Sequence, residues 1–203
     1  MEINQFGWNV ATIGFLGIMF FSLLGAWGLW KQNLAIWMAQ SGKSVSVSYF
    51  SFYLAYFLSG FAYGLDRNSL ALILHCGGRA VSHIPILIGL WKFKGLTRNE
   101  KFFSLLFFGG ILLTPLLSAE EFSFFAYSVG GIFLYIAQPL EIYRNKDSGT
   151  VEPKLHYIYF GSATFWTIYG FATHDLVLEW TVPSNMVIAL VTIALCHRYK
   201  NHN

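Results

Sequence analysis

Residues 46–94 read SVSYFSFYLAYFLSGFAYGLDRNSLALILHCGGRAVSHIPILIGLWKFK, two long apolar runs parted only by Asp66-Arg67-Asn68. A bilayer is crossed by about 20 apolar residues in a helix. Each run meets that length, and three polar residues leave room for a tight turn and nothing else. The stretch therefore predicts a helical hairpin that enters a membrane and comes straight back. The same pattern continues on both sides of it. Helices are predicted over 9–31, 46–65, 69–91, 102–118, 122–143, 155–172 and 176–197. The gaps between them are short and polar, too small for a soluble domain, so any function has to lie within the helical bundle.

Composition agrees. Of 203 residues, 55% are hydrophobic and 11% charged, against roughly 25% charged in soluble domains. Nineteen glycines suit membrane helices, where glycine is commoner than in soluble ones. So few charges cannot screen this much apolar surface from water. Lipid has to be the solvent. The first apolar run has no basic segment before it and is read as a span, not as a cleavable signal peptide.

The net charge of +3 is sorted to one side of the membrane. With seven spans, one face receives Lys31, Lys43, Lys92, Lys94, Arg98, Lys101, Arg144, Lys146, Lys154, Arg198 and Lys200. The other receives Arg67 with Glu2, Asp66, Glu120, Glu121 and Asp175. The positive-inside rule then predicts an outer N-terminus and a cytoplasmic C-terminus. Charge of this kind marks orientation and is not a nucleic-acid footprint. Cys76 and Cys196 fall inside apolar runs without paired spacing, so neither a disulfide nor a metal site is expected. No cofactor motif is present.

An internal repeat lies beneath the span pattern. Shifted by 106 residues, 32–94 pairs with 138–200 without a gap. Gln32 meets Gln138, Leu34 meets Leu140, Ile36 meets Ile142, Val45 meets Val151, and Tyr63-Gly64 meets Tyr169-Gly170. Upstream, Ser22 and Gly25 match Ser128 and Gly131. Only 11 of the 63 pairs are identical, but loops and helix ends coincide throughout. The division is 1–94 for a first three-helix repeat, 95–121 for a linker helix, and 122–203 for a second repeat. Three is odd, so the linker restores the second repeat to the orientation of the first. Parallel repeats of this kind, related by an axis along the membrane normal, hold substrate near the midplane between them.

At these residues the chain resembles the PQ-loop superfamily, which includes the SWEET sugar transporters and cystinosin-like amino-acid transporters. The resemblance rests on Gln32-x-x-x-Ile36-Trp37, Lys43-Ser44-Val45-Ser46 and Tyr63-Gly64 in the first repeat. In the second it rests on Gln138-Pro139-x-x-Ile142-Tyr143, on Asp147-Ser148-Gly149-Thr150-Val151, and on Phe165-Trp166-Thr167-Ile168-Tyr169-Gly170 closing with Asp175. It implies an all-α membrane protein of seven transmembrane helices, two parallel three-helix repeats joined by a linker helix. It also implies alternating-access transport of a small polar solute. The proline that precedes glutamine in the family motif is Lys31 in one repeat and Ala137 in the other, and Pro139 follows the second glutamine instead. The resemblance thus makes Gln32, Gln138 and Pro139 gate or hinge residues, with Gly25 or Gly28 as the bending point of the first repeat.

Arg79 is the most informative side chain. It sits near the middle of the third span, where a charge costs several kcal/mol unless it is paired or faces water. His75 and His83 flank it at four-residue intervals and share its helix face. The register-equivalent positions in the second repeat are Thr181, Asn185 and Ala189. The SWEET resemblance places an asparagine from each repeat in the pocket. Asn185 fills one such role and Arg79 stands where its partner would be, or, one turn earlier, Thr181 and His75 do. An arginine there suits a carboxylate or phosphate. The alternative is a fixed ion pair with Glu179 or Glu141. Glu179 and His83 are further candidates for proton or ion-pair roles, as is His75, since histidine titrates near neutrality. Trp166 resembles the pocket-capping tryptophan of SWEETs. Its counterpart is Gly60, which leaves an expected gap on one side of the pocket. Tyr63 and Tyr169 are either an external gate or part of an interfacial aromatic belt.

The expected function is transport, with an amino acid or organic anion favoured over a neutral sugar. A sugar uniporter and a ligand-reading receptor of the same fold, like the KDEL receptor, are the alternatives. Paired carboxylates, nucleophile motifs and metal spacings are missing, so enzymatic chemistry is not expected. The expected partners are a small-molecule substrate and the lipid bilayer. Homo-oligomerisation is left open, and compact loops point to a bacterial inner membrane.

Overall fold

The computed structural model describes residues 7–42, 45–114, 118–146 and 153–199. Among these residues there are seven helices: α1 (Val10–Ala39), α2 (Val47–Asp66), α3 (Leu70–Phe93), α4 (Arg98–Leu113), α5 (Glu120–Asn145), α6 (Pro153–Thr173) and α7 (Leu176–Arg198). Most bounds fall within a few residues of the sequence expectation. α1 is the exception, running eight residues past the expected Lys31 to Ala39. Hydropathy ends where charge begins, but backbone hydrogen bonding continues. Lys31 stays helical with its ammonium 3.7 Å over the Trp27 ring, its stem lying along apolar surface. α4 begins earlier than expected because Thr97 and Glu100 form a capping box, two orphan N–H groups being met reciprocally.

Four helices (α1, α3, α5 and α7) are long and apolar enough to cross a membrane. α2 falls short in hydropathy for a physical reason. Eleven of its 20 residues are buried among neighbours, so less of it has to please lipid. Elsewhere the lipid-facing character is plain: Leu23, Trp27, Trp30, Val81, Trp91, Phe102, Leu105, Phe133 and Trp180 are all exposed. In such a setting lipid tails are as apolar as leucine, and helices associate through packing and interhelical hydrogen bonds.

By contacts the chain divides into two compact units, 22–127 and 7–21 with 128–199. The first contains most of α1, then α2, α3, α4 and the start of α5. Its core at the lysine-rich end of α3 is Ile36, Val47, Phe50, Ile86 and Leu90. There Lys94 donates to the Val45 carbonyl at 2.9 Å and to Glu100 at 2.8 Å, joining the α1–α2 connection to the α3–α4 one. At the opposite end Arg67 pairs with Glu121 at 2.8 Å, and Tyr63 stacks on Phe124 at 5.2 Å. The second unit contains the start of α1, the rest of α5, α6 and α7. In it Tyr157 and His197 share a hydrogen bond of 2.8 Å, and Lys146 donates to the Tyr199 hydroxyl at 3.1 Å.

The 106-residue repeat reappears in the backbone. Asn68 (φ 51°) and His174 (φ 52°) occupy the left-handed region at equivalent turns, as do Gln40 (φ 46°) and Lys146 (φ 52°). Ser69 caps α3 by accepting from the Leu72 N–H, and Asp175 caps α7 by accepting from Leu178. The Ser69 N–H donates to Gly64 at 2.9 Å and the Asp175 N–H to Gly170 at 3.0 Å. A Cβ on Gly64 would lie 2.7 Å from the Leu72 Cβ, and one on Gly170 2.8 Å from that of Leu178. Both glycines are needed for the same close approach. Aligned residues that share 11 identities in 63 thus build the same hairpin twice.

Candidate functional site

The site in the first unit begins with the start of α3. The Ser69 cap fixes the helix register, which carries His75, Arg79 and His83 on one face. Arg79 lies about nine residues, or ~14 Å, beyond Leu70. α1 faces it with two small residues three apart. Ser22 Oγ and His75 Nδ1 are 2.5 Å apart, a direct α1–α3 hydrogen bond. One turn further on, a Cβ built on Gly25 would overlap the Arg79 guanidinium carbon and both terminal nitrogens. The guanidinium therefore rests in the notch where Gly25 has no side chain.

His83 is held differently. Its Nδ1 lies 2.7 Å from the Arg79 carbonyl, and a carbonyl only accepts, so Nδ1 carries the proton. Its ring sits near Phe50 and Phe57, at 5.6 and 5.2 Å, and is buried. His75 also approaches Phe57, at 5.8 Å. The result is a ladder of three basic side chains, backed by phenylalanines and stitched to α1 at two successive turns.

Gly60 belongs to the same unit but not to this ladder. A Cβ there would meet Cys76 Sγ at 2.6 Å and Phe124 Cε2 at 2.9 Å, so the expected gap beside Gly60 is filled by those two side chains. Tyr63 is fully buried, as is Tyr169 in the second unit. Neither ring lies on the lipid-facing surface where an aromatic belt would form. Gln32 is half-buried near the end of α1. Gly28 has open space beside it, and α1 runs unbroken through both Gly25 and Gly28.

In the second unit Trp166 is buried and meets Tyr169 edge-on at 5.9 Å. Thr181 donates its hydroxyl to the Val177 carbonyl at 2.7 Å, while Asn185 is half-buried one turn on. Glu179 lies 4.0 Å from His174. Gln138 is half-buried and Pro139 buried, within a continuous α5. The side chain of Glu141, the Lys43-Ser44 pair and the Asp147–Val151 motif lie outside the described residues. Among the described residues no group of three His, Cys, Asp or Glu could hold a metal ion.

In the sequence Ser22 figures only as a repeat match, Gly25 as a repeat match and a bending point, and Pro183 not at all. Ser22 and Gly25 matter through what they face, although their spacing and their echo at Ser128 and Gly131 were visible. Pro183 lies inside α7 between Thr181 and Asn185. It cannot donate to the Glu179 carbonyl four residues back, so that carbonyl lacks its usual helical donor beside the candidate residues. A proline in the middle of an apolar run was the available signal.

No protein-family model matches the chain, and no curated protein matches it. Among solved structures it is similar to that of a eukaryotic SWEET transporter determined at 3.7 Å. Identity is 15%, the TM-score is 0.72, and the match covers 94% of this chain and 97% of the other. A likeness of that extent establishes the fold. The chain is an all-helical membrane protein with the seven-helix SWEET-like architecture.

Proposed function

We propose that this protein is an alternating-access transporter of a small polar solute, an amino acid or organic anion in preference to a neutral sugar. The two repeats, 1–94 and 122–203, act as its moving halves and 95–121 as the linker. One observation carries the substrate class: the Arg79 guanidinium in the middle of a transmembrane helix, positioned by packing against Gly25. A planar fork of donors recognises carboxylate or phosphate through paired charge-assisted hydrogen bonds. Its neighbours suit that task, since His75 and His83 are tied to Ser22 and to backbone and leave Arg79 the dominant charge of the face.

In the second repeat, Asn185, Thr181 and Trp166 are the candidate substrate contacts, two polar groups for orientation and an indole for packing. Tyr63 and Tyr169 act as the outer gate, and Gln32, Gln138 and Pro139 as hinge positions. Glu179, near the start of α7, is the proton or counter-ion candidate. The N-terminus lies outside and the C-terminus in the cytoplasm, as the sorted basic residues require.

The test is a thermal-shift screen of purified protein against sugars, amino acids, carboxylates and nucleosides, because a ligand that binds only the folded state raises Tm. The expected hit is an anion whose stabilisation disappears in Arg79→Ala while the variant remains folded. Flux of that anion into proteoliposomes then makes the protein a transporter. Binding without flux makes it a receptor of the same fold, and a neutral sugar that binds Arg79→Ala as well as wild type overturns the anion assignment.

A further inference from the structure

Gly25 has a feature that separates it from the other closely packed glycines. At Gly64 an added Cβ meets the Leu72 Cβ and the Ile73 backbone nitrogen, and at Gly14 it meets the Tyr169 backbone. Those glycines let two helices approach, which is the ordinary use of small residues in membrane bundles. At Gly17 and Gly161 an added Cβ meets a single phenyl ring, of Phe165 and Phe21, whereas at Gly25 the three nearest atoms all belong to the Arg79 guanidinium. What the missing Cβ makes room for is a cationic head group, not a helix.

We propose that Gly25 is the specificity-determining seat of Arg79. The notch it leaves in α1 receives the guanidinium, and the size of residue 25 sets how far the cation projects towards a bound anion. This inference rests on the anion-binding assignment of Arg79 and adds to it a residue that does the positioning. Ser22 supports the arrangement one turn away, its hydrogen bond to His75 fixing the rotation of α1 that turns Gly25 to α3.

The chemistry of the displaced group makes the substitution informative. A methyl at residue 25 pushes the guanidinium aside by about 2 Å before ordinary contact distances of about 3.5–4.0 Å return. A long flexible side chain accommodates that without disturbing either helix. The fold survives, and the charge is misplaced. Displacement by an ångström at a binding centre has large consequences, ~10²-fold in favourable cases.

The experiment is a double-mutant cycle on the full-length protein: wild type, Gly25→Ala, Arg79→Ala and the double variant, with thermal unfolding and proteoliposome uptake of succinate and glucose as readouts. Gly25→Ala is expected to lower Tm when Arg79 is present and to raise it in the Arg79→Ala background, where alanine is the better helix former and nothing occupies the notch. It is also expected to reduce the ratio of succinate to glucose uptake about tenfold. A Tm change of the same sign and size in both backgrounds overturns the seat, because Gly25 would then serve helix packing alone. An unchanged uptake ratio, alongside a positive thermal cycle, overturns the specificity role. If wild type carries no succinate and Arg79→Ala changes nothing, the anion-transport assignment fails, and the thermal cycle alone decides whether Gly25 seats the arginine.

Discussion

The ladder of His75, Arg79 and His83 shows how three residues of basic type can share one helix face inside a membrane. Each has been given a different environment: a hydroxyl for His75, a glycine notch for Arg79, a carbonyl and two phenyl rings for His83. Removing one partner should expose that arrangement. Ser22→Ala strips the α1 hydroxyl from His75 and leaves a half-buried ring nitrogen short of a hydrogen bond. A loss of about 1 kcal/mol or more is expected, read as a fall in Tm with unchanged helicity. Arg79→Ala acts on recognition. Losing a charge-assisted hydrogen bond is expected to weaken anion binding by about 1.5–3 kcal/mol, or roughly 10- to 100-fold, measured by titrating the thermal shift. Arginine at this position was legible from sequence, since a midplane charge cannot be ignored. Its seat was not, because the pairing of residue 25 with residue 79 depends on how α1 lies against α3.

Among the elements, the two hairpins α2–α3 and α6–α7 carry the same instructions in different letters. Ser69 and Asp175 are equivalent caps, so Ser69→Ala and Asp175→Ala are each expected to cost about 1 kcal/mol, with similar Tm losses in thermal unfolding. The α3–α4 junction adds a pH dependence. Glu100 precedes the apolar run that starts at Phe102, and its hydrogen bond from Lys94 holds the carboxyl down to about 2, with Thr97 assisting. A folded-state value below the ordinary 4.5 means the pair stabilises the protein above that pH. The contribution shrinks as pH falls from there and is gone once the folded value is passed. The Tm advantage of wild type over Glu100→Gln should therefore be full near neutrality and shrink on acidification. The capping box that places this helix start was written in the sequence as Thr97-x-x-Glu100. The bond from Lys94 to the Val45 carbonyl was not, because it joins segments nearly fifty residues apart.

For the whole molecule, orientation is the property most open to direct measurement. Cys76 and Cys196 are both buried, which leaves a quiet background for introduced thiols. A cysteine in place of Arg98 is expected to react with an impermeant maleimide only from the cytoplasmic side, and one in place of Asn68 only from outside. The reverse pattern would invert the topology. The amino-acid sequence by itself determined that the chain lives in lipid, that it folds into seven helices, and where most of those helices begin and end to within a few residues. These follow from local quantities: run length, charge sorting, capping residues and a repeat whose register survives in turns and caps while side chains diverge. It also singled out Arg79, because one misplaced charge is visible without coordinates. Only the tertiary structure decided what each polar residue faces. It put Ser22 on His75 and the guanidinium in the Gly25 notch, closed the space beside Gly60 with Cys76 and Phe124, and buried Tyr63 and Tyr169. Those outcomes depend on helix rotation and close approach between segments distant in the chain, and hydropathy and periodicity carry no record of either.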